Sequence, residues 1–190
     1  TFGLSVVIQN SLLVGYTADS RKLAAGTIES QAMHLGPVTL GVMPVLTFGS
    51  AVLVIFALNQ LFYRTALGRA FRATSDDATT AQLMGIRPQR VFAMATGIAM
   101  VVATIAALYL GTRANFDPSI GPARLLYAFE AVIIGGLGSL WGTLAGGIVI
   151  GLAQAIGASI NPEWQILSGH IAFVIVLLIR PRGLFPRAND

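Results

Sequence analysis

The sequence contains no cysteine among its 190 residues. That absence excludes disulfide bonds and thiolate metal sites within this chain. Charged side chains are also scarce, at 11% of the residues against about 25% in average soluble proteins. The two histidines are isolated, and neither a GxxxxGK(S/T) phosphate loop nor a GxSxG nucleophile motif occurs. We therefore expect no catalytic residues, no bound metal and no cofactor held by this chain.

Apolar residues dominate instead, at 55% of the sequence, and the mean hydropathy is +0.75. Uncharged runs recur along the whole length, which indicates an integral membrane protein without a separate globular part. We expect residues 1–190 to form one transmembrane domain. The net charge of +4 is interpreted as loop arginines that orient the spans. Neither aromatic interleaving nor a basic face suggests a nucleic-acid surface, and membrane lipid is the expected surrounding.

The lengths of the uncharged runs predict where the chain crosses the membrane. A helix needs about 20 residues to cross about 30 Å of hydrocarbon. The predicted fold class is all-α, a polytopic transmembrane helix bundle. We expect the first span to be partial, since the chain starts at Thr1 inside an apolar run, and we interpret the chain as a fragment lacking N-terminal spans. The predicted spans are about 1–16, 40–62, 91–110, 125–140, 142–161 and 164–180.

The run from Leu125 to Pro162 is too long for one span. Its 38 residues contain one charged side chain, Glu130, and would form a helix of about 57 Å. A turn is expected between Gly135 and Gly142, where four glycines lower helix propensity. The spacing of four residues between glycines also predicts close helix packing, within the chain or at a dimer contact. The predicted packing glycines are Gly142, Gly146, Gly147 and Gly151.

Eight of the twelve arginines and lysines lie in residues 63–90 or after residue 179. Because cytoplasmic loops of membrane proteins are rich in these residues, the loop 63–90 and the C-terminus are predicted to be cytoplasmic. An even number of crossings must then separate them, which favours two short or broken crossings within residues 125–162.

Two polar side chains lie in apolar surroundings. Glu130 has two open interpretations: a functional carboxylate facing a cavity or partner, or a residue near the headgroups that water solvates. His170 is interpreted as a polar contact between helices.

The loop 63–90 carries a helix signature. Ser75 is the predicted N-cap, Asp76 and Asp77 lie in the first turn, and Gly85 is the C-terminal stop, which predicts a helix of about 10 residues. It is either an ordinary surface helix or one that docks into another protein. Docking would use the apolar residues Ala81, Leu83, Met84 and Ile86.

Four segments together resemble the permease subunits of branched-chain amino acid ABC transporters. These are TFGLS at residues 1–5, GRAFRA at 68–73 with Asp77, Ala81 and Gly85 beyond it, AFEAVIIGGLGS at 128–139, and RPRGLF at 180–185. Their order and coverage of nearly the whole chain make the resemblance specific. It is nearer to the shorter of the two permease subunits of such transporters.

The resemblance implies that the loop carries a short cytoplasmic coupling helix, which sits in a cleft of an ATPase subunit. The matching ATPase-coupling residues are Gly68, Arg69, Arg72, Asp77, Ala81, Gly85 and Ile86. It further implies a bacterial inner membrane location and a heterodimer with a second permease subunit. Two cytoplasmic ATPase subunits would bind ATP and Mg, and a periplasmic binding protein would deliver the substrate.

The cargo implied by the resemblance is a branched-chain amino acid, but related permeases carry urea, short amides or other amino acids. Candidates for the translocation path or its gating are Glu130, Gly135, Gly136 and Gly138. An ion-coupled secondary transporter or channel is the alternative of another class, since it would use a carboxylate and a helix break near the midplane. A structural membrane subunit without a path is the third possibility.

Overall fold

The computed structural model of the protein describes residues 2–24, 26, 31–35 and 38–185. This part of the chain is mainly helical, which confirms the all-α fold class. The elements are α1 (Phe2–Tyr16), β1 (Ala32–Leu35), β2 (Val38–Gly41), α2 (Val42–Arg64), α3 (Ala66–Asp76), α4 (Ala78–Leu83), α5 (Pro88–Arg113), α6 (Gly121–Gly135), α7 (Leu140–Ile160) and α8 (Trp164–Ile179).

The chain divides into two compact units, each with its own set of internal contacts. One comprises residues 19–117, and the other comprises residues 1–18 and 118–190. The arrangement of the whole chain as one transmembrane domain stays a prediction.

In the unit of residues 19–117, a β-hairpin precedes the first long helix. Strands β1 and β2 pair antiparallel, with Ala32 opposite Gly41. This hairpin was not predicted from the sequence. The N–H of Val42 then donates to the carbonyl of Gln31 at 3.1 Å, which ties the start of α2 to the hairpin. Pro44 lies in the first turn of α2, where a missing N–H costs nothing.

Three helices in the described part of the chain are long and apolar enough to cross a membrane by length and composition. They are α2 with 23 residues, α5 with 26 and α7 with 21. Helices α6 and α8, with 15 and 16 residues, would span only about 23 Å. Many apolar side chains on these helices point outward, as a lipid solvent permits. Small regions are buried within the chain, around Phe71, Ala81, Val91, Ile134 and Ile150.

In the second unit, α7 packs against both α6 and α8. Helix α6 begins at Gly121 and ends at Gly135, whereas the predicted span ran from 125 to 140. Its start is earlier because Pro122 fits the first helical turn, and its end is earlier because Gly136 has a φ of 100°. The chain therefore turns at residues 136–139, inside the predicted glycine-rich stretch.

Candidate functional site

The loop between α2 and α5 contains two helices instead of one. Thr65 caps α3: its hydroxyl oxygen accepts from the N–H of Gly68 at 3.1 Å, and its O–H donates to the carbonyl of Leu61 at 2.6 Å. Helix α3 continues through Ser75 to Asp76. The predicted N-cap at Ser75 and the predicted helix of about 10 residues are therefore wrong.

Helix α3 continues because one of its faces is buried. Phe71 and Thr74 lie on that face, and the Phe71 ring packs against Phe62 with centroids 5.3 Å apart. Gly68 lies so close to the carbonyls of Leu61 and Phe62 that a β-carbon there would overlap them. Packing along this face thus outweighs the tendency of Ser75 to cap a helix.

Arg72 fastens α3 to the end of α2. Its Nη1 donates a hydrogen bond to the carbonyl of Phe62, ten residues earlier. Its guanidinium carbon lies 5.5 Å from the ring centroid of Tyr63, within cation–π range. Arg72 therefore acts inside the loop, while Arg69 on the same helix is exposed.

Asp77 is the N-cap of α4. Its Oδ1 accepts from the backbone N–H groups of Thr79 at 2.8 Å and Thr80 at 3.2 Å, and its Oδ2 accepts from the Thr80 hydroxyl at 2.5 Å. The hydrogen bond from the Thr80 side chain is the largest of the contacts that lower the pKa of Asp77 to about 2. The carboxylate is therefore charged at any physiological pH.

Helix α4 ends in a Schellman motif. Gly85 has a φ of 84°, its N–H donates to Gln82, and the N–H of Ile86 donates to Ala81. Two residues later, Pro88 opens α5 at its first position. The predicted stop at Gly85 is thus confirmed, and six-residue α4 is held at both ends.

Some of the loop residues that were predicted to contact another protein are buried within the loop instead. Gly68 and Ala81 are buried within the loop, while Leu83 and Met84 are 87% and 80% exposed. Ile86 lies between these extremes. The matched positions Gly68, Arg72, Asp77, Ala81 and Gly85 therefore build the loop, whereas Leu83 and Met84 form its apolar tip. A sequence signal for the tip existed, because both are apolar residues next to a helix stop.

A second cluster lies where α6 meets α7. A β-carbon on Gly142 would overlap the carbonyl of Gly135, and one on Gly146 would overlap the carbonyl of Ala131. The two backbones are therefore in direct contact, as the four-residue spacing indicates. No described atom lies within 4 Å of a β-carbon built on Gly147 or Gly151. The packing role predicted for those two stays a prediction.

The C-terminal segment docks on the glycine turn. The N–H of Leu184 donates to Ile134 at 2.8 Å, and the N–H of Phe185 donates to Gly135 at 3.0 Å. These bonds satisfy two carbonyls at the end of α6 that have no partner within the helix. Gly183 lies against the backbone of Gly136. The turn and the end of α8 therefore lie at the same end of the helices, a contact that sequence reasoning missed.

Glu130 is buried, with 4% of its surface exposed, so the solvated interpretation is wrong. Its Oε1 lies 2.5 Å from Nδ1 of His170, and the His170 ring stacks on Tyr127 at 5.5 Å. The expected interhelix contact of His170 is thus confirmed, between α6 and α8. Within the described part of the chain, the Glu130 Oε2 has no hydrogen-bond partner.

Comparisons with known proteins show which family the chain belongs to. Residues 1–179 match a family described as the permease component of the branched-chain amino acid transport system. The chain belongs to this permease family. It is therefore a multi-pass membrane protein, and the relatives described below are transport permeases by name, not enzymes. No solved structure matches it.

Individual permeases show how much of such a protein this chain represents. It is 31% identical to the branched-chain amino acid permease BraD of Pseudomonas aeruginosa and 29% identical to LivH of Escherichia coli K12. Each match covers 97% of this chain and 62% of the relative's length. The chain is also 27% identical to LivM of E. coli K12, over 71% of this chain and 32% of LivM. The chain is thus of the LivH type and spans about three fifths of those relatives.

Proposed function

We propose that this chain is a membrane-spanning permease subunit of an ATP-driven importer. It forms part of the path for branched-chain amino acids, which a periplasmic binding protein delivers. Family membership and the names of BraD and LivH support this function. The observation that carries it is in the loop 63–90, where two capped helices leave the apolar side chains of Leu83 and Met84 exposed and able to contact another protein.

The loop couples the permease to a cytoplasmic ATPase. Arg72 and Phe71 fix α3 on α2, and Asp77 and Gly85 fix both ends of α4, so the loop can move with the spans as a rigid element. Leu83 and Met84 provide the contact with the ATPase. Two ATPase subunits bind ATP and Mg, which leaves no nucleotide chemistry to this chain.

The other partner is a second permease subunit, and the similarity to LivM supports a heterodimer. The proposed location is the bacterial inner membrane, with the loop 63–90 and the C-terminus in the cytoplasm. Contact between Leu184 and Ile134 supports part of this topology, since the glycine turn and the C-terminus share one end of α6.

The orientation can be tested by cysteine labelling, because the chain has no cysteine. Leu137, exposed in the glycine turn, is replaced by cysteine, and a membrane-impermeant thiol reagent is added to vesicles of each orientation. Labelling is expected only from the cytoplasmic side. Labelling from the periplasmic side would overturn the topology.

The buried pair of Glu130 and His170 is the observation that favours the second candidate, an ion-coupled transporter. The complete transporter, reconstituted in liposomes with its ATPases and binding protein, distinguishes the two functions. We expect L-leucine uptake only with internal ATP, external binding protein and no ion gradient. Uptake driven by a proton or sodium gradient without ATP would establish the second candidate instead. Urea, acetamide and other amino acids, supplied in place of leucine, test the cargo.

A further inference from the structure

A half-open surface cavity of about 250 Å³, with Arg124 and Ile166 among its exposed lining residues, lies in the unit of α6, α7 and α8, at the end where α6 and α8 begin. It is smaller than the roughly 300–1,000 Å³ of sites for drug-sized ligands, so it suits a small solute. Its walls are Ile120, Ala123, Arg124, Tyr127, Gln154, Gln165 and Ile166.

The lining combines one cation with two amides and an aliphatic wall. Arg124 is its charged side chain, and Gln154 and Gln165 can each donate and accept hydrogen bonds. Ile120 and Ile166 provide apolar surface. A guanidinium matches a carboxylate in a bidentate geometry, and amide oxygens can accept from an ammonium group. The cavity therefore fits a small zwitterion with an aliphatic side chain.

Two of the lining side chains contact α8. The Tyr127 ring stacks almost parallel to His170, with an interplanar angle of 1°, and His170 contacts the buried Glu130. The side chain of Gln154 lies against Gly169 of α8. Tyr127 on α6 and Gln154 on α7 thus both contact α8, which restricts their movement.

We propose that this cavity is a binding site for an aliphatic amino acid, with Arg124 holding the carboxylate. The inference rests on the proposed function, for which it names a substrate contact. It assigns Tyr127 and Gln154 to the site and gives the pair of His170 and Glu130 a positioning role beneath it. Among the path candidates from the sequence, Glu130 thus acts through His170, which stacks on Tyr127.

Protection from thiol labelling tests the cavity directly. Ala123→Cys places a single thiol in the lining, and Ile160→Cys places one at the exposed end of α7, outside it. Both variants are assembled with the complete transporter in membrane vesicles. Labelling is followed by the mass shift of this chain, so that cysteines of partner subunits do not interfere. L-Leucine is expected to slow labelling at position 123 several-fold and to leave position 160 unchanged.

Analogues then test the role of Arg124. Leucinamide lacks the carboxylate, so we expect about ten- to hundredfold more of it than of leucine for equal protection. The substitution Arg124→Gln should remove this preference, and Arg124→Lys should restore part of it. Equal protection by both compounds, or an unchanged preference in Arg124→Gln, would show that Arg124 is only an interfacial anchor.

The result is separable from the test of the proposed function. If the wild-type complex takes up leucine with ATP but leucine does not protect position 123, the cavity proposal fails and the function stands. If no ATP-driven uptake of any tested cargo occurs, the function fails whatever the labelling shows.

Discussion

The loop 63–90 and the α6–α7 hairpin are both turns between helices, but different interactions hold them. In the loop, side chains bind the backbone: Thr65 and Asp77 cap helices, and Arg72 reaches a carbonyl of α2. In the hairpin, the absence of side chains at Gly142 and Gly146 lets two backbones touch. The loop can therefore change its outward residues without losing its shape, whereas the hairpin cannot accept even a methyl group at its contact.

Gly146 and Gly147 are neighbours on α7 that test this difference most strongly. In Gly146→Ala, the new methyl group would overlap the Ala131 carbonyl, and we expect a loss of about 3 kcal/mol in the free energy of unfolding. Gly147→Ala, which meets open space, should leave that free energy unchanged or raise it. Denaturant unfolding of the purified proteins measures both. Equal stability of the two variants would refute the close contact of α6 and α7.

The contact between Glu130 and His170 tests whether side chains also stabilise the packing of α6 against α8. Since Glu130 is buried, the two groups should be coupled, by about 2 kcal/mol. A double-mutant cycle with Glu130→Gln, His170→Ala and both together measures this energy. Strictly additive effects would mean that the contact contributes nothing to holding α6 against α8.

Substitutions of Asp77 test whether the structure of the loop depends on the N-cap of α4. Asp77→Ala should expose the loop to proteolysis, and Asp77→Asn should resist better because asparagine also caps helices. The folded state lowers the pKa of Asp77 from 3.8 to about 2. The contribution of the charge is therefore fully present above pH about 4 and is lost as the pH falls through about 2. Identical cleavage rates in the wild-type and Asp77→Ala proteins would argue against the cap.

Among these substitutions, Arg72→Ala should have the smallest effect on the stability of the protein. Arg72→Ala removes one hydrogen bond to Phe62 and one contact with Tyr63, together worth about 1 kcal/mol at this partly exposed site. Faster hydrogen exchange within residues 66–76 is the expected result. The matched change Arg69→Ala, at an exposed position of the same helix, should leave exchange unaltered; similar acceleration in both would count against the role of Arg72.

Sequence reasoning found the helical class and the stop at Gly85, because both follow from local patterns: the length of the apolar runs, and a glycine that ends a helical pattern with Pro88 beyond it. It misplaced the N-cap because two capping residues, Ser75 and Asp77, stand close together. The choice between them depends on how Phe71 packs on Phe62, and only the folded loop shows that contact.

Contacts between residues that are distant in sequence could not be predicted either. Glu130 and His170 are 40 residues apart, and no periodicity in α6 or α8 pairs them. The docking of Leu184 and Phe185 on α6 likewise has no local signature. Resemblance to the permease family identified the C-terminal segment as a motif but did not say what it touches.

We propose that the tip of the loop, Leu83 and Met84, transmits the motion of the ATPase to the membrane spans. Leu83→Asp places a charge on the exposed tip, and Leu137→Asp makes the same change at a similarly exposed residue of the glycine turn. ATP-driven leucine uptake by the reconstituted transporter is the measurement that tests the claim most directly. We expect Leu83→Asp to abolish uptake and Leu137→Asp to preserve it, with both chains still in the membrane. Undiminished uptake by Leu83→Asp would contradict the claim.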